Sequence, residues 1–259
     1  MIQPGMTSRI VTFCNADYIP VAENWLRALG EINMDGRATI VSLDDSTRDA
    51  FPVNRVLHRP LPPGARGLGA LWSHRIEVLR EFLSAGEGVI HSDADAVWLR
   101  DPLPDIEACA VPIVFSQGTV WPKDVHSQHG LVLCCGFFYL SPVPQVQAFL
   151  DAVAGRVEID RDDQVAVNRV VSDLIEGWDI DNPYEIPFKD TRFIASQSPI
   201  RSRTKKESFD SVRIAVLPHH TYPRLLDRVS SETVVAHPLS GKSLRDKVAC
   251  LSKLGLWAS

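Results

Sequence analysis

The sequence predicts an α/β fold: a mostly parallel central sheet flanked by helices. Three observations carry this. Short β-rich runs alternate with helical patterns through the N-terminal half. The chain has 259 residues, 45% hydrophobic and 23% charged, enough for one large domain with a substantial core. No internal repeat, low-complexity segment or linker divides it.

In order, Arg9–Phe13 (RIVTF) reads as a first strand and VAENWLRALGEI as the helix behind it. Ala38–Leu43 is a second strand, closed by the capping run Asp44-Asp45-Ser46-Thr47. VNRVLH is a candidate third strand. The loop RPLPPGARGLG leads to a helix from Ala70 to about Leu83, then to the strand GVIHSDAD. Beyond Pro104 the pattern loosens. VPIVFS and LVLCCGFFYL are strand-like, and the polar QGTVWPKDVHSQHG between them reads as a functional loop. Pro144–Gly155 and Asp160–Gly177 look helical; YEIPF, RIAVLP and TVVAH are short strands; LRDKVACLSKLGLW is a final amphipathic helix. The basic RSRTKKES, Arg201–Ser208, reads first as a solvated loop and second as a place for an acceptor.

Composition excludes some functions. A net charge of −5 lacks the basic face of a nucleic-acid-binding protein, so no nucleic-acid partner is expected. The N-terminal residues show no signal pattern, and no apolar run approaches membrane-spanning length. Five cysteines, an odd number without framework or zinc spacing, read as reduced thiols and point to the cytoplasm. Adjacent Cys134 and Cys135 on one strand should face opposite ways.

The stretch VIHSDADAVWLRDPLP carries the chemistry. Asp93 and Asp95 follow a buried-type strand, where a charge is costly unless paired or bound to a metal. In parallel sheets ligands bind beyond the strands' carboxyl ends, and extended alternation would turn both carboxylates to one side. The other D-x-D pairs, Asp160/Asp162 and Asp179/Asp181, sit in polar surroundings and read as caps or turns. Arg75 falls on the apolar stripe of its helix with Trp72, Ile76 and Leu79. It therefore needs an anion, either a diphosphate or a structural carboxylate, unless it snorkels to water. With Asp160 as N-cap, Asp163 and Gln164 lie in a first turn, and Gln164 shares an inward stripe with Asn168. The competing assignment makes Asp163 a capping residue and turns Asn168 to solvent. His237 ends a strand, and Gly241-Lys242 opens a helix whose N-terminus suits an anion; His237 can join two carboxylates on a metal or serve the structure alone. His219-His220, on a loop without converging carboxylates, is not read as a metal pair.

The order and spacing of TFCNADYIPVAENWLRAL, LWSHRIEVLREFLSAG, SDADAVWLRDPLP, CGFFYLSP, DDQVAVN, VLPHHTYP and the closing VVAH…GLW resemble nucleotide-diphospho-sugar transferases of the GT-A fold. The similarity is greatest to the group that includes glycosyltransferase family 77, and it runs over nearly the whole chain. It implies one Rossmann-like GT-A domain over residues 1–259. It also implies a retaining glycosyltransferase with a nucleotide-diphosphate donor, a UDP-sugar first, and a hydroxyl-bearing acceptor such as a saccharide. The implied cofactor is a divalent cation, Mn2+ before Mg2+.

By the same resemblance Asp95 and His237 ligate the metal, and Asp93 binds the metal, ribose or sugar hydroxyls. Thr12 and Phe13 lie near the base. Arg75 and a lysine after Gly241 bind the diphosphate or sugar; Lys242 and Lys247 both fit, with Lys242 preferred as nearer the helix start. Gln164 and Asp163 lie near the anomeric carbon. The segments Gln117–Gly130 and Arg201–Ser208 are expected to shape the acceptor site. Two alternatives stand beside this. DADAV also fits the loop of haloacid-dehalogenase-like phosphatases with Asp93 as nucleophile, although several βα units precede it here. A non-catalytic nucleotide-sugar-binding protein would keep the metal site and transfer nothing.

Overall fold

The computed structural model describes residues 8–64, 67–204 and 212–258. The β-branched run at the start forms β1 (Ser8–Cys14), and Pro20 enters the first turn of α1 (Ile19–Glu31), where proline is tolerated. β2 (Ala38–Ser42), α2 (Asp45–Ala50) and β3 (Val56–His58) follow, with Asp44 capping α2 by accepting from the Thr47 amide. Then come α3 (Leu68–Ser84), β4 (Gly88–Ser92), β5 (Val97–Trp98) and α4 (Leu103–Cys109). β6 (Ile113–Gln117), α5 (Lys123–His129) and β7 (Leu133–Leu140) lead to the packed helices α6 (Pro144–Asp160) and α7 (Asp163–Leu174). The rest comprises β8 (Ile175–Asp179), the hairpin β9 (Tyr184–Phe188) and β10 (Thr191–Ala195), β11 (Ile200–Thr204), β12 (Ile214–Val216), β13 (Val235–Ala236) and α8 (Leu244–Lys253).

Nine strands make the main sheet in the order β3-β2-β1-β4-β7-β6-β12-β11-β8. Only β7 and β11 run against their neighbours, so seven of the nine strands point the same way. This is the mostly parallel sheet that the βα alternation predicts. Its strands are apolar on both faces because helices cover both. Val11, Val41 and Val89 turn toward α3, α6 and α7; their neighbours Ile10, Ile40 and Ile90 turn toward Trp25 and Leu29 of α1.

Several expected boundaries move. Val53–Arg55 is a 3-10 turn, leaving β3 only three residues. The polar Gln117–Gly130 contains α5, ended by Gly130 at φ 73°. The segment read as helical to Gly177 yields β8 from Ile175 onward, where β11 supplies a pairing edge that helical periodicity cannot reveal. Within the basic stretch, Arg201–Thr204 belongs to β11: Ile200 is buried and the arginines alternate outward. Residues 205–208 of that stretch lie outside those described. The last helix stops at Lys253, four residues before Trp257. No helix among the described residues is long and apolar enough to cross a membrane.

Candidate functional site

β4 is buried throughout and delivers its chain to the carboxyl edge of the sheet, where it leaves the strand at Asp93. The Asp93 amide donates to the Gly136 carbonyl at 2.7 Å, and the Ala96 amide donates back to the Asp93 carbonyl at 2.9 Å. The two carboxylates therefore converge through a tight turn, and the expected strand alternation does not operate beyond Ser92. β5 continues from that turn and pairs antiparallel with β13, Ala236 opposite Val97. This pairing carries His237, the next residue, back over the carboxylates. Its Nε2 lies 3.5 Å from Asp95 Oδ1 and 3.7 Å from Asp93 Oδ2.

One ligand atom from each of Asp93, Asp95 and His237 falls within 4.8 Å of the others. Two hard carboxylate oxygens and one imidazole suit a divalent ion such as Mn2+ or Mg2+. The cradle is close: a Cβ on Gly136 would stand 2.5 Å from His237 Nδ1 and 2.7 Å from Asp93 Oδ2. Gly136 is thus a residue that sequence reasoning missed as part of the site. Its signal was a glycine inside the strand run CGFF, which marks a close approach. Asp93 is the open member, its side chain 40% exposed against 8% for both Asp95 and His237.

The charges balance tightly. Burial opposes ionisation of both carboxyls, yet His91, His237 and Arg75 hold Asp93 well below the usual carboxylate range. His237 and Lys247 likewise hold Asp95 down to about 2. Burial and Arg224 oppose charge on His237, but Cys134 and Asp95 outweigh them and push it up to about 9. His91 stays neutral, pushed down to about 4 by burial and then by Arg75.

Lys247 contacts Asp95 Oδ2 directly and lies 5.8 Å from the Tyr18 ring centroid. It gets there because α1 anchors the end of the chain: Asn24, buried, donates to the Leu256 carbonyl at 3.0 Å and accepts from the Ala258 amide at 3.0 Å. Ser243 caps α8, so the helix opens after Lys242 and not at it. Lys242 itself is exposed, and its carbonyl accepts from the Tyr18 hydroxyl at 2.9 Å.

Arg75 does face inward, and its anions are protein carboxylates. It contacts Asp163 directly, approaches Asp93 Oδ1 at 3.5 Å, lies 3.0 Å from His91 Nε2 and stacks 4.5 Å over Trp72. The α7 N-cap is Asp162, whose side chain accepts from the Val165 amide; Asp160 instead ends α6 and pairs with Arg156 and Arg169. Asp163 is buried beside Arg75, and one of its oxygens also accepts from the Gln164 amide. Gln164 accepts from Cys135 N at 3.4 Å and donates to the Trp121 carbonyl at 2.9 Å. Asn168 does not face solvent: it is 1% exposed and clamps both the amide and carbonyl of Leu133 on β7.

Phe13 packs against His91 at 5.8 Å between ring centroids, on the site's side of the sheet. Thr12 alternates to the other face, where its hydroxyl is buried without a hydrogen-bond partner among the described residues. Cys134 lies 3.7 Å from His237 Nδ1, whereas Cys135 reaches the Asp163 carbonyl at 3.9 Å, so the adjacent thiols do point opposite ways.

A family model described as nucleotide-diphospho-sugar transferase matches residues 57–239. The Arabidopsis thaliana arabinosyltransferase RRA2 is 28% identical over 171 residues, covering 56% of this chain and 40% of its own. The UDP-D-xylose:L-fucose alpha-1,3-D-xylosyltransferase MGP4 of the same plant is 27% identical over 112 residues, covering 38% and 30%. The chain thus spans less than half the length of these relatives. Among solved structures, the galactosyltransferase LgtC aligns with a TM-score of 0.46 at 14% identity, covering 62% of this chain and 69% of that one. Mouse xyloside xylosyltransferase 1 aligns at 0.43 and 10%, covering 64% and 82%.

Proposed function

This chain belongs to the nucleotide-diphospho-sugar transferase family, a family of GT-A type, and on that premise we propose that it is a metal-dependent retaining glycosyltransferase. The observation that carries the reading is the convergence of Asp93, Asp95 and His237 at the carboxyl end of β4, with Lys247 on Asp95. Asp93, Asp95 and His237 would hold Mn2+ or Mg2+. The bound ion would neutralise the charge that grows on the diphosphate as the donor bond breaks. Lys247 adds a fixed positive charge beside the same carboxylate. A UDP-sugar is the donor favoured by the name of MGP4, and a saccharide hydroxyl is the acceptor.

Arg75 ties Asp163 to Asp93 and so sets the sugar-facing carboxylate relative to the metal carboxylates. That pairing also makes Asp163 a poor nucleophile, because its negative charge is already shared with a guanidinium. Front-face attack therefore suits this site better than double displacement. The acceptor oxygen bonds to the anomeric carbon as the carbon–phosphate oxygen bond breaks, on the same face. The acceptor proton passes to the departing diphosphate oxygen. Gln164, braced by Cys135 and Trp121, holds its amide beside Asp163, where the sugar would lie. The phosphatase alternative for Asp93 is not favoured by the family match. We place the whole of residues 1–259 in one such domain, and the five free thiols in a reducing compartment, the cytoplasm.

Thermal-shift measurements with UDP-sugars, with and without Mn2+, test the reading: the donor should raise the melting temperature only when the ion is present. NMR of the first-formed product then tests retention. An inverted linkage would reject the front-face route.

A further inference from the structure

Trp121 is 53% exposed and is the sole aromatic among the exposed large hydrophobic residues of the described chain. Scattered exposed apolar side chains need no explanation, but this ring has a specific setting. The segment that carries it is held at three points. The Gly118 amide donates to the Val132 carbonyl at 2.8 Å, and Gln164 Nε2 donates to the Trp121 carbonyl at 2.9 Å. Immediately after it, α5 is anchored to α7 through Arg169 and Asp124 at 2.9 Å. The Trp121 backbone thus lies against Gln164, whose neighbour Asp163 is joined through Arg75 to Asp93, and its indole is exposed there. The polar side chains next to it, Lys123 and Asp124, are also exposed.

We infer that Trp121 is the acceptor platform of this enzyme, on which the acceptor saccharide stacks its C–H face. This rests on the glycosyltransferase reading above and adds to it the residue that seats the acceptor and the face by which the acceptor is held. A flat aromatic face covers the apolar side of a sugar ring and excludes water, while the ring's hydroxyls stay free for polar neighbours. One isolated ring flanked by charged groups matches that two-sided chemistry; an acyl chain would require a continuous apolar channel. Fixing the backbone beforehand also reduces the entropy lost when the acceptor is seated.

The test is NMR of the indole N–H signals of the full chain loaded with UDP and Mn2+, the Trp121 signal being identified by its loss in Trp121→Phe. Methyl glycosides of L-fucose, D-galactose, D-xylose and L-arabinose serve as probes, with decanoate as an apolar-chain control. The Trp121 signal should shift saturably with at least one glycoside and not with decanoate. Trp121→Ala should weaken that glycoside at least about tenfold, and Trp121→Phe should remain within about threefold of the parent, with UDP affinity unchanged in both. Intact UDP binding with no glycoside moving the signal, or with equal glycoside affinity in Trp121→Ala, overturns the inference. A shift with decanoate alone overturns it in favour of a lipid-like acceptor. Failure of UDP and Mn2+ to bind the parent protein instead removes the glycosyltransferase reading, and this inference with it.

Discussion

Gly136 and His237 are packed so closely that the absence of a side chain on one is what admits the imidazole of the other. A Cβ on Gly136 would stand 2.5 Å from His237 Nδ1 and would press on Asp93 as well. Neither neighbour is the free end of a flexible chain. His237 follows β13, pinned to β5, and Asp93 is held by its own amide to the Gly136 carbonyl.

Gly136→Ala should therefore displace one of the proposed metal ligands without removing it. Mn2+-dependent UDP binding should fall by about tenfold or more, whereas the far-ultraviolet spectrum should be retained. Calorimetry with and without Mn2+ checks this. Undiminished binding would mean that the cradle has slack absent from the structure.

How much of this was legible beforehand depends on the range of the contact. Asp93 and Asp95 stood out because a continuous apolar strand run led into them, and strand burial is written locally. Arg75 was legible as a charge on an apolar stripe, but its partner, Asp163, lies on α7. Only packing of α3 against α6 and α7 brings the two together. Lys247 could not be separated from Lys242 by spacing. What places Lys247 on Asp95 is Asn24, which ties the chain's last turns to α1, and Ser243, which caps the helix that opens at Leu244. β11 was read as loop because its arginines hide the alternation that Ile200 begins.

The Arg75–Asp163 contact also changes what a substitution there would do. Arg75→Ala leaves a buried carboxylate without its cation, which typically costs about 3–5 kcal/mol. The expected result is a lower unfolding midpoint in urea, in addition to any loss of donor binding. Arg75→Met combined with Asp163→Leu should recover most of the stability and none of the turnover. If Arg75→Ala is as stable as the parent, the pair carries no structural weight.

Acid should loosen the loop before β13. His219 is buried, and its Nε2 accepts from the amides of Arg224 at 3.2 Å and Leu225 at 3.4 Å. Burial, then Arg224, pushes it down to about 4. The unfolded chain takes up this proton below its ordinary value near 6.5 and the folded one only near 4, so stability is full above that ordinary value and falls as pH drops through the interval. His219→Gln should remove this one proton from the linkage. Its unfolding free energy should then depend on pH less steeply than the parent's by roughly 1.4 kcal/mol per pH unit between about pH 5 and 6. Identical slopes would show that His219 titrates normally.

The central claim is that Asp95 and His237, distant in sequence and 3.5 Å apart in space, serve one cation that in turn holds a nucleoside diphosphate. Calorimetric titration of UDP in the presence and absence of Mn2+, on the parent, Asp95→Asn, His237→Ala and the double variant, addresses it most directly. Each single change should abolish most of the Mn2+-dependent part of the affinity. The double change should add little more, because either one already breaks the same coordination set. Mn2+-dependent UDP binding that survives undiminished in either single variant would contradict the account.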